Sequence, residues 1–203
     1  FGANGRYELM LSDFLLLRTG GTIQYSNLPE TYINNEFSGM DVSAYGHLNF
    51  ELTKNLRLSG GARFFSELGI FGLGLGGKIE TNIIENLNLS FDLSLSDRTP
   101  SANENLNLFN EKHLLGIFDL SFKTSSGNIG FGAFARIIDN PIIAKFSIDT
   151  TKLVNFSFVN EKTKLILGSY LNYSSNLFDF LKYKLQIQTY YDELNSENMS
   201  SFP

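Results

Sequence analysis

Few side chains in this sequence stand in patterns that could do chemistry. Gly72-Leu73-Gly74-Leu75-Gly76-Gly77 has the glycine spacing of a dinucleotide-binding turn. Such a turn must open a helix whose N-terminus receives the pyrophosphate. The next residues, Lys78-Ile79-Glu80-Thr81-Asn82, instead continue an alternation of polar and apolar side chains. Glycines on one face of a strand, with Phe71, Leu73 and Leu75 on the other, account for the segment better and leave room for a close-packed neighbour or a tight bend. His47 lies near Glu51 and His113 near Glu111, but one imidazole beside one carboxylate is too few ligands for a metal. The absence of cysteine rules out disulfides, thiolate metal sites and thiol nucleophiles, and no Gly-x-Ser-x-Gly turn is present. No enzyme, metal or cofactor is therefore expected. Asn-x-Ser triplets begin at Asn88, Asn155, Asn172 and Asn198, as chance provides in a chain rich in both residues.

The elements that would carry these residues are strands. From Leu87 to Ser96, Leu87, Leu89, Phe91, Leu93 and Leu95 alternate with Asn88, Ser90, Asp92, Ser94 and Ser96, a period of two that no helix face reproduces. The same rhythm appears at Val42 to Leu52, Leu56 to Phe64 and Leu181 to Tyr191. It is weaker at Tyr7 to Leu11, Phe14 to Tyr25, Ile70 to Ile83, His113 to Phe122, Asn128 to Ile138, Ile142 to Ile148, Leu153 to Val159 and Lys164 to Tyr173. The sequence thus predicts about twelve strands. Tight polar turns fall at Ser12-Asp13, Thr53-Lys54-Asn55, Glu85-Asn86, Ser125-Ser126-Gly127, Asp149-Thr150-Thr151 and Ser174-Ser175-Asn176. The long links, Asn27 to Asp41, Thr99 to Lys112 and Asp192 to Pro203, all take the alternate places in the order.

Composition says where such a sheet could live. Hydrophobic residues make up 42% of the 203, charged residues only 18%, and aromatics 14%, with 19 Phe and 9 Tyr. No stretch approaches the roughly 20 apolar residues of a membrane helix. A net charge of -5 without basic clusters excludes nucleic acid as a partner. Strands of about 9 to 12 residues, apolar on one face and polar on the other, fit a transmembrane β-barrel whose short turns lie on the periplasmic side and whose long loops lie outside. The fold expected is all-β, an antiparallel up-and-down barrel segment in outer-membrane lipid spanning residues 1–203 as one unit. A soluble β-rich binding module would require protein to bury Leu89, Phe91 and Leu93.

The segment Arg98-Thr99-Pro100-Ser101-Ala102-Asn103-Glu104 resembles the Arg-x-Pro-Ser-x-x-Glu motif of the barrels of TonB-dependent receptors, matched at Arg98, Pro100, Ser101 and Glu104. Glu111 before Leu114-Leu115-Gly116 is similar to the following strand of that family, and Ala133 to Ile143, with Arg136, Asp139 and Asn140, to the strand and turn after it. The likeness is strongest from Leu87 to Ile143. It implies uptake of a scarce nutrient across the outer membrane, with TonB as a partner acting through a plug domain that these 203 residues do not contain. The ligand class, whether siderophore, glycan, peptide or vitamin, stays open. Arg57, Arg63, Asp92, Arg98, Arg136, Lys182 and Lys184, on the polar faces, are the candidate lumen residues; the Arg98 motif also reads simply as the end of a strand shaping an outer loop. The alternative is a non-energised pore or a structural barrel in a membrane assembly, closed by these strands alone. Phe1 in place of a methionine and the loop-like Ser200-Ser201-Phe202-Pro203 suggest a piece of a longer chain. The first and last strands are then expected to pair with further strands and not with each other.

Overall fold

The structure, a computed structural model, describes residues 2–28, 37–67, 69–100, 108–148, 154–178 and 181–192. Twelve antiparallel strands run in chain order: β1 (Gly2–Ser12), β2 (Leu15–Leu28), β3 (Phe37–Thr53), β4 (Leu56–Glu67), β5 (Ile70–Ile84), β6 (Leu87–Arg98), β7 (Glu111–Lys123), β8 (Gly127–Asp139), β9 (Ile142–Ile148), β10 (Val154–Asn160), β11 (Lys164–Phe178) and β12 (Leu181–Asp192). β1 to β8 form a meander that continues through β11 and β12 into a ten-stranded sheet, with β1 and β12 at its two edges. Among the described residues no ladder joins those edges.

Two expectations are corrected here. β9 and β10 do not enter the wall: they pair only with each other, and β8 pairs directly with β11. Each has seven residues, too few to cross hydrocarbon as the wall strands of 11 to 17 residues can. The hairpin therefore belongs to the connection from β8 to β11, at the end of the sheet that carries the long links. The second correction concerns Ser174-Ser175-Asn176, which lie inside β11, opposite Lys184, Tyr183 and Lys182. Small polar residues signal a turn in sequence, but here the ladder takes them in.

Because the pleat alternates, each row of directly paired residues shows one character across the sheet. Leu17, Leu48, Gly60, Gly77, Leu93, Gly116, Ala135 and Leu167 are successive partners on the outer face. Arg57, Glu80, Ser90, Asp119, Gly132 and Tyr170 are successive partners on the other. Gly72, Gly74 and Gly76 lie on the polar face while Phe71, Leu73 and Leu75 are exposed on the apolar one, as the sequence predicts. Gly77 departs from that pattern and joins the apolar row. The glycine on the polar face has a use at Gly72, where the Phe65 ring of the neighbouring strand lies so close that a Cβ would collide with its Cζ. The same arrangement recurs where Tyr170 covers Gly132 and Phe134 covers Gly168, an aromatic laid over a cross-strand glycine.

The sheet has almost no core of its own. Ile138 is the one buried hydrophobic residue among those described, whereas Phe91, Leu93, Phe118, Phe131, Leu171 and Ile187 are exposed along the outer face. An apolar face this continuous is stable only against another apolar medium. Its upper limit is a row of three charged partners, Asp97, Lys112 and Asp139; near the short turns Tyr173 packs edge-on against Tyr183 with centroids 5.7 Å apart. On β6 the apolar positions from Leu87 to Leu95 cover roughly 26 Å of strand, or roughly 20 Å of membrane depth at the usual tilt.

Candidate functional site

The densest set of charged side chains lies on the polar face where β6, β7 and β8 approach the long-link end. Pairing sets Arg98 opposite Glu111 and Ser96 opposite His113, while Arg136 sits one face-position along β8 from Ile138, the partner of His113. Glu111 and His113 are two residues apart on one strand and so share the face. Both are buried, with 7% and 8% of their surface exposed. A carboxylate removed from water must be paired or hydrogen-bonded, and Glu111 is both: Oε2 is hydrogen-bonded to His113 Nε2 at 2.9 Å and ion-paired with Arg98 Nη1 at 3.3 Å, and Oε1 accepts the backbone N–H of Ile142. Arg136 donates to His113 Nδ1 through Nε at 3.2 Å and Nη2 at 2.6 Å. A guanidinium offers only donors. Nδ1 must therefore accept, the proton lies on Nε2, and the array runs in one direction, Arg136 to His113 to Glu111, with Arg98 arriving from the other side.

The start of the Arg98 motif is built into the same region. Thr99 is buried and donates through Oγ1 to Glu67 at 3.1 Å, and Pro100 is fully enclosed. Ser101 and Glu104 fall outside the described residues.

The remaining candidates do not gather at one point. Arg57 forms an exposed ion pair with Glu51 at 3.0 Å, a type that contributes little. Arg63 lies 5.2 Å from the centroid of the Phe65 ring and shares with Asp92 a concavity of about 520 Å³ in the middle of the wall. Its surface includes His47, whose Nε2 is buried without a hydrogen-bond partner among the described residues. Asp92 is the cross-strand partner of Lys78, which binds Glu80 at 2.9 Å. Lys184 lines a second, larger hollow of about 860 Å³ at the short-turn end, together with Asn82, Asn88, Ser121, Lys123 and Asn128. Lys182 lies on β12 opposite Asn176. Between these two regions the Tyr170 hydroxyl donates to Asp119.

Two members of the array, the exposed Arg98 and the half-buried Arg136, were legible in sequence as polar-face residues. The other two, Glu111 and His113, read there only as a carboxylate beside an imidazole, too few ligands for a metal. Their two-residue spacing was the available signal; that the Arg98 strand would set a cation opposite was not. The arrangement contains no nucleophile beside a base and no group of three or more metal-ligating side chains among the described residues. It can fix a wall, recognise charge and bind polar groups.

No family model matches the sequence, and no curated protein matches it either. Solved structures do. The siderophore receptor PirA from Pseudomonas aeruginosa superposes with a TM-score of 0.78 at 14% identity, over 94% of this chain and 42% of that one. The FrpB iron transporter from Neisseria meningitidis gives 0.70 at 13% identity, over 94% and 35%. The copper transporter OprC gives 0.72 at 13%, over 95% and 38%. The chain thus spans roughly two fifths of these proteins or less, and at such identity what it shares with them is fold.

Proposed function

We propose that this chain, whose fold is that of the barrel wall of TonB-dependent outer-membrane receptors, supplies part of the wall of a receptor importing a scarce nutrient. The observation that carries the reading is the two-faced sheet: a continuous apolar outer face, suited to lipid, backs a polar inner face with paired charges and two hollows. The wall lies in the outer membrane, and residues 1–203 act as one barrel segment without a plug of their own. The open edges of β1 and β12 support completion of the barrel by other strands, since bare N–H and C=O groups cost several kcal/mol each in hydrocarbon. Small closed barrels made from these strands alone fit less well, because β9 and β10 leave the wall. Nutrient and TonB would meet the receptor through the lumen and a plug, and Arg57, Arg63, Asp92, Arg98, Arg136, Lys182 and Lys184 are the polar-face wall residues we assign to that route, with Lys182 and Lys184 toward the short-turn end. The structural neighbours are named for iron, siderophores and copper, which makes metal complexes the first nutrients to try.

The test is uptake in cells carrying the intact gene or a deletion. Ferric siderophore and copper would be supplied in labelled form, with and without the proton-motive force. Gene-dependent accumulation that stops when the force is collapsed supports the receptor. Gene-dependent entry indifferent to it supports a diffusion pore instead.

A further inference from the structure

β9 and β10 are outside the wall, yet they are not free of it. Asn160, the last residue of β10, places its side chain between two backbones: Oδ1 accepts the Phe109 N–H at 2.8 Å, while Nδ2 donates to the Phe109 carbonyl at 3.0 Å and the Asn140 carbonyl at 2.8 Å. An amide that exchanges one donor and one acceptor with a single residue acts as one rung of a β-ladder made by a side chain. At the other root of the hairpin, the first N–H of β9, that of Ile142, is given to Glu111. Glu161 N–H bonds the Pro141 carbonyl at 2.9 Å and closes the base between the two roots. The backbone accommodates this at Asn140, which takes φ of 53°, a left-handed conformation that asparagine tolerates better than most residues. Asn110 adds a bond from Nδ2 to the Phe71 carbonyl at 2.8 Å, which ties the same stretch to β5.

We propose that the β9–β10 hairpin, residues 108–110 and the Arg98–Glu111–His113–Arg136 array form one mechanical unit, coupled through Asn160 and Glu111 as positioning residues. Glu111 is the joint. One of its oxygens holds the hairpin and the other holds His113 and Arg98, so the hairpin cannot lift without leaving a buried carboxylate oxygen unsatisfied. A displacement of the hairpin at the outer end of the wall is therefore felt by the charges that face the lumen. The coupling belongs to the fold and stands apart from nutrient import; a wall that transported nothing would still show it.

Amide hydrogen exchange on the full-length protein in lipid nanodiscs tests this. Asn160→Ala removes all three side-chain bonds. It should speed exchange about five- to tenfold, the effect of losing one or two net hydrogen bonds, at Phe109 and also at Ile142 and through β9. Protection in β7 at the short-turn end, residues 118–123, should not change. Glu111→Gln, which keeps the shape but loses the charge, should loosen β9 and residues 108–110 together. Phe109→Ala is the control: its side chain is exposed and the contacts are made by its backbone, so exchange should match the parent protein. Loss of protection confined to Phe109 in Asn160→Ala, with β9 unchanged, would overturn the coupling even if uptake were normal. Absence of gene-dependent uptake by the parent protein, with the coupling intact, would count against the import reading alone.

Discussion

The outer face should accept apolar exchange and reject charge, and Phe91→Lys is the sharpest form of that statement. Phe91 stands in the middle of the β6 apolar run, with Leu89 and Leu87 on one side and Leu93 and Leu95 on the other. Its partners in the row are Ile79 and Phe118. Two face-positions separate it from either limit of the run, about 13 Å along the strand and about 10 Å in depth once tilt is allowed for. A lysine there can carry its ammonium outward only part of that way, so its cost falls at the midplane value of about 2 to 4 kcal/mol. Ser94→Lys, on the same strand, points into the 520 Å³ concavity beside Gly76. Its ammonium reaches water, and the cost should stay within about 0.5 kcal/mol. Denaturant titration of the full-length protein folded into lipid vesicles, with the slope checked for constancy, reads both differences. Equal destabilisation by the two lysines would refute the assignment of faces, and a larger effect at Ser94 would reverse it.

Other consequences of the fold can be measured separately. Gly61→Ala would bring a Cβ to 2.7 Å from the Gly46 carbonyl oxygen, a backbone atom that cannot step aside, while Gly76→Ala in the same row meets nothing nearer than 3.7 Å. The first should destabilise by about 1 to 3 kcal/mol and the second be neutral or stabilising; similar midpoints in denaturant would contradict this. A tag at Asn105 should be reached by antibody on intact cells, and one at Lys54 only after the outer membrane is opened. A tag at Thr150 should behave like Asn105, because its hairpin belongs to a long-link connection, whereas a twelve-stranded meander would put it with Lys54. The Lys145 ammonium at 2.5 Å holds the Glu161 carboxylate below the usual glutamate range. The pair's contribution is thus present above the unfolded-state value and lost as pH falls through the folded one. Proteolysis of the hairpin should accelerate on acidification in that window, and Glu161→Gln should abolish the pH dependence.

Strand positions and faces were legible because a two-residue period survives wherever one face meets lipid and the other water. β6, β5 and β9 begin where the sequence places them. What alternation does not encode is which strands are neighbours. β9 and β10 alternate like wall strands, and Asp149-Thr150-Thr151 looks like any short turn, so a hairpin outside the ten-stranded sheet and a pair within it read alike. Only their seven-residue length set them apart. The charged array was hidden for a related reason. Glu111 and His113 gain their meaning from Arg98 and Arg136 on adjacent strands, and those contacts depend on register, which is set by the whole ladder and not by either segment.

The most direct test of the central claim, that these strands are a continuous stretch of a larger wall, is disulfide crosslinking in native outer membranes. A cysteine pair at Ala133 and Ser169, direct partners on β8 and β11, should form a crosslink readily. A pair at Leu9 and Leu185, on the two edge strands, should not, in any of several neighbouring registers. Efficient crosslinking of β1 to β12 would mean that the chain closes on itself as a small barrel, contradicting the larger receptor wall.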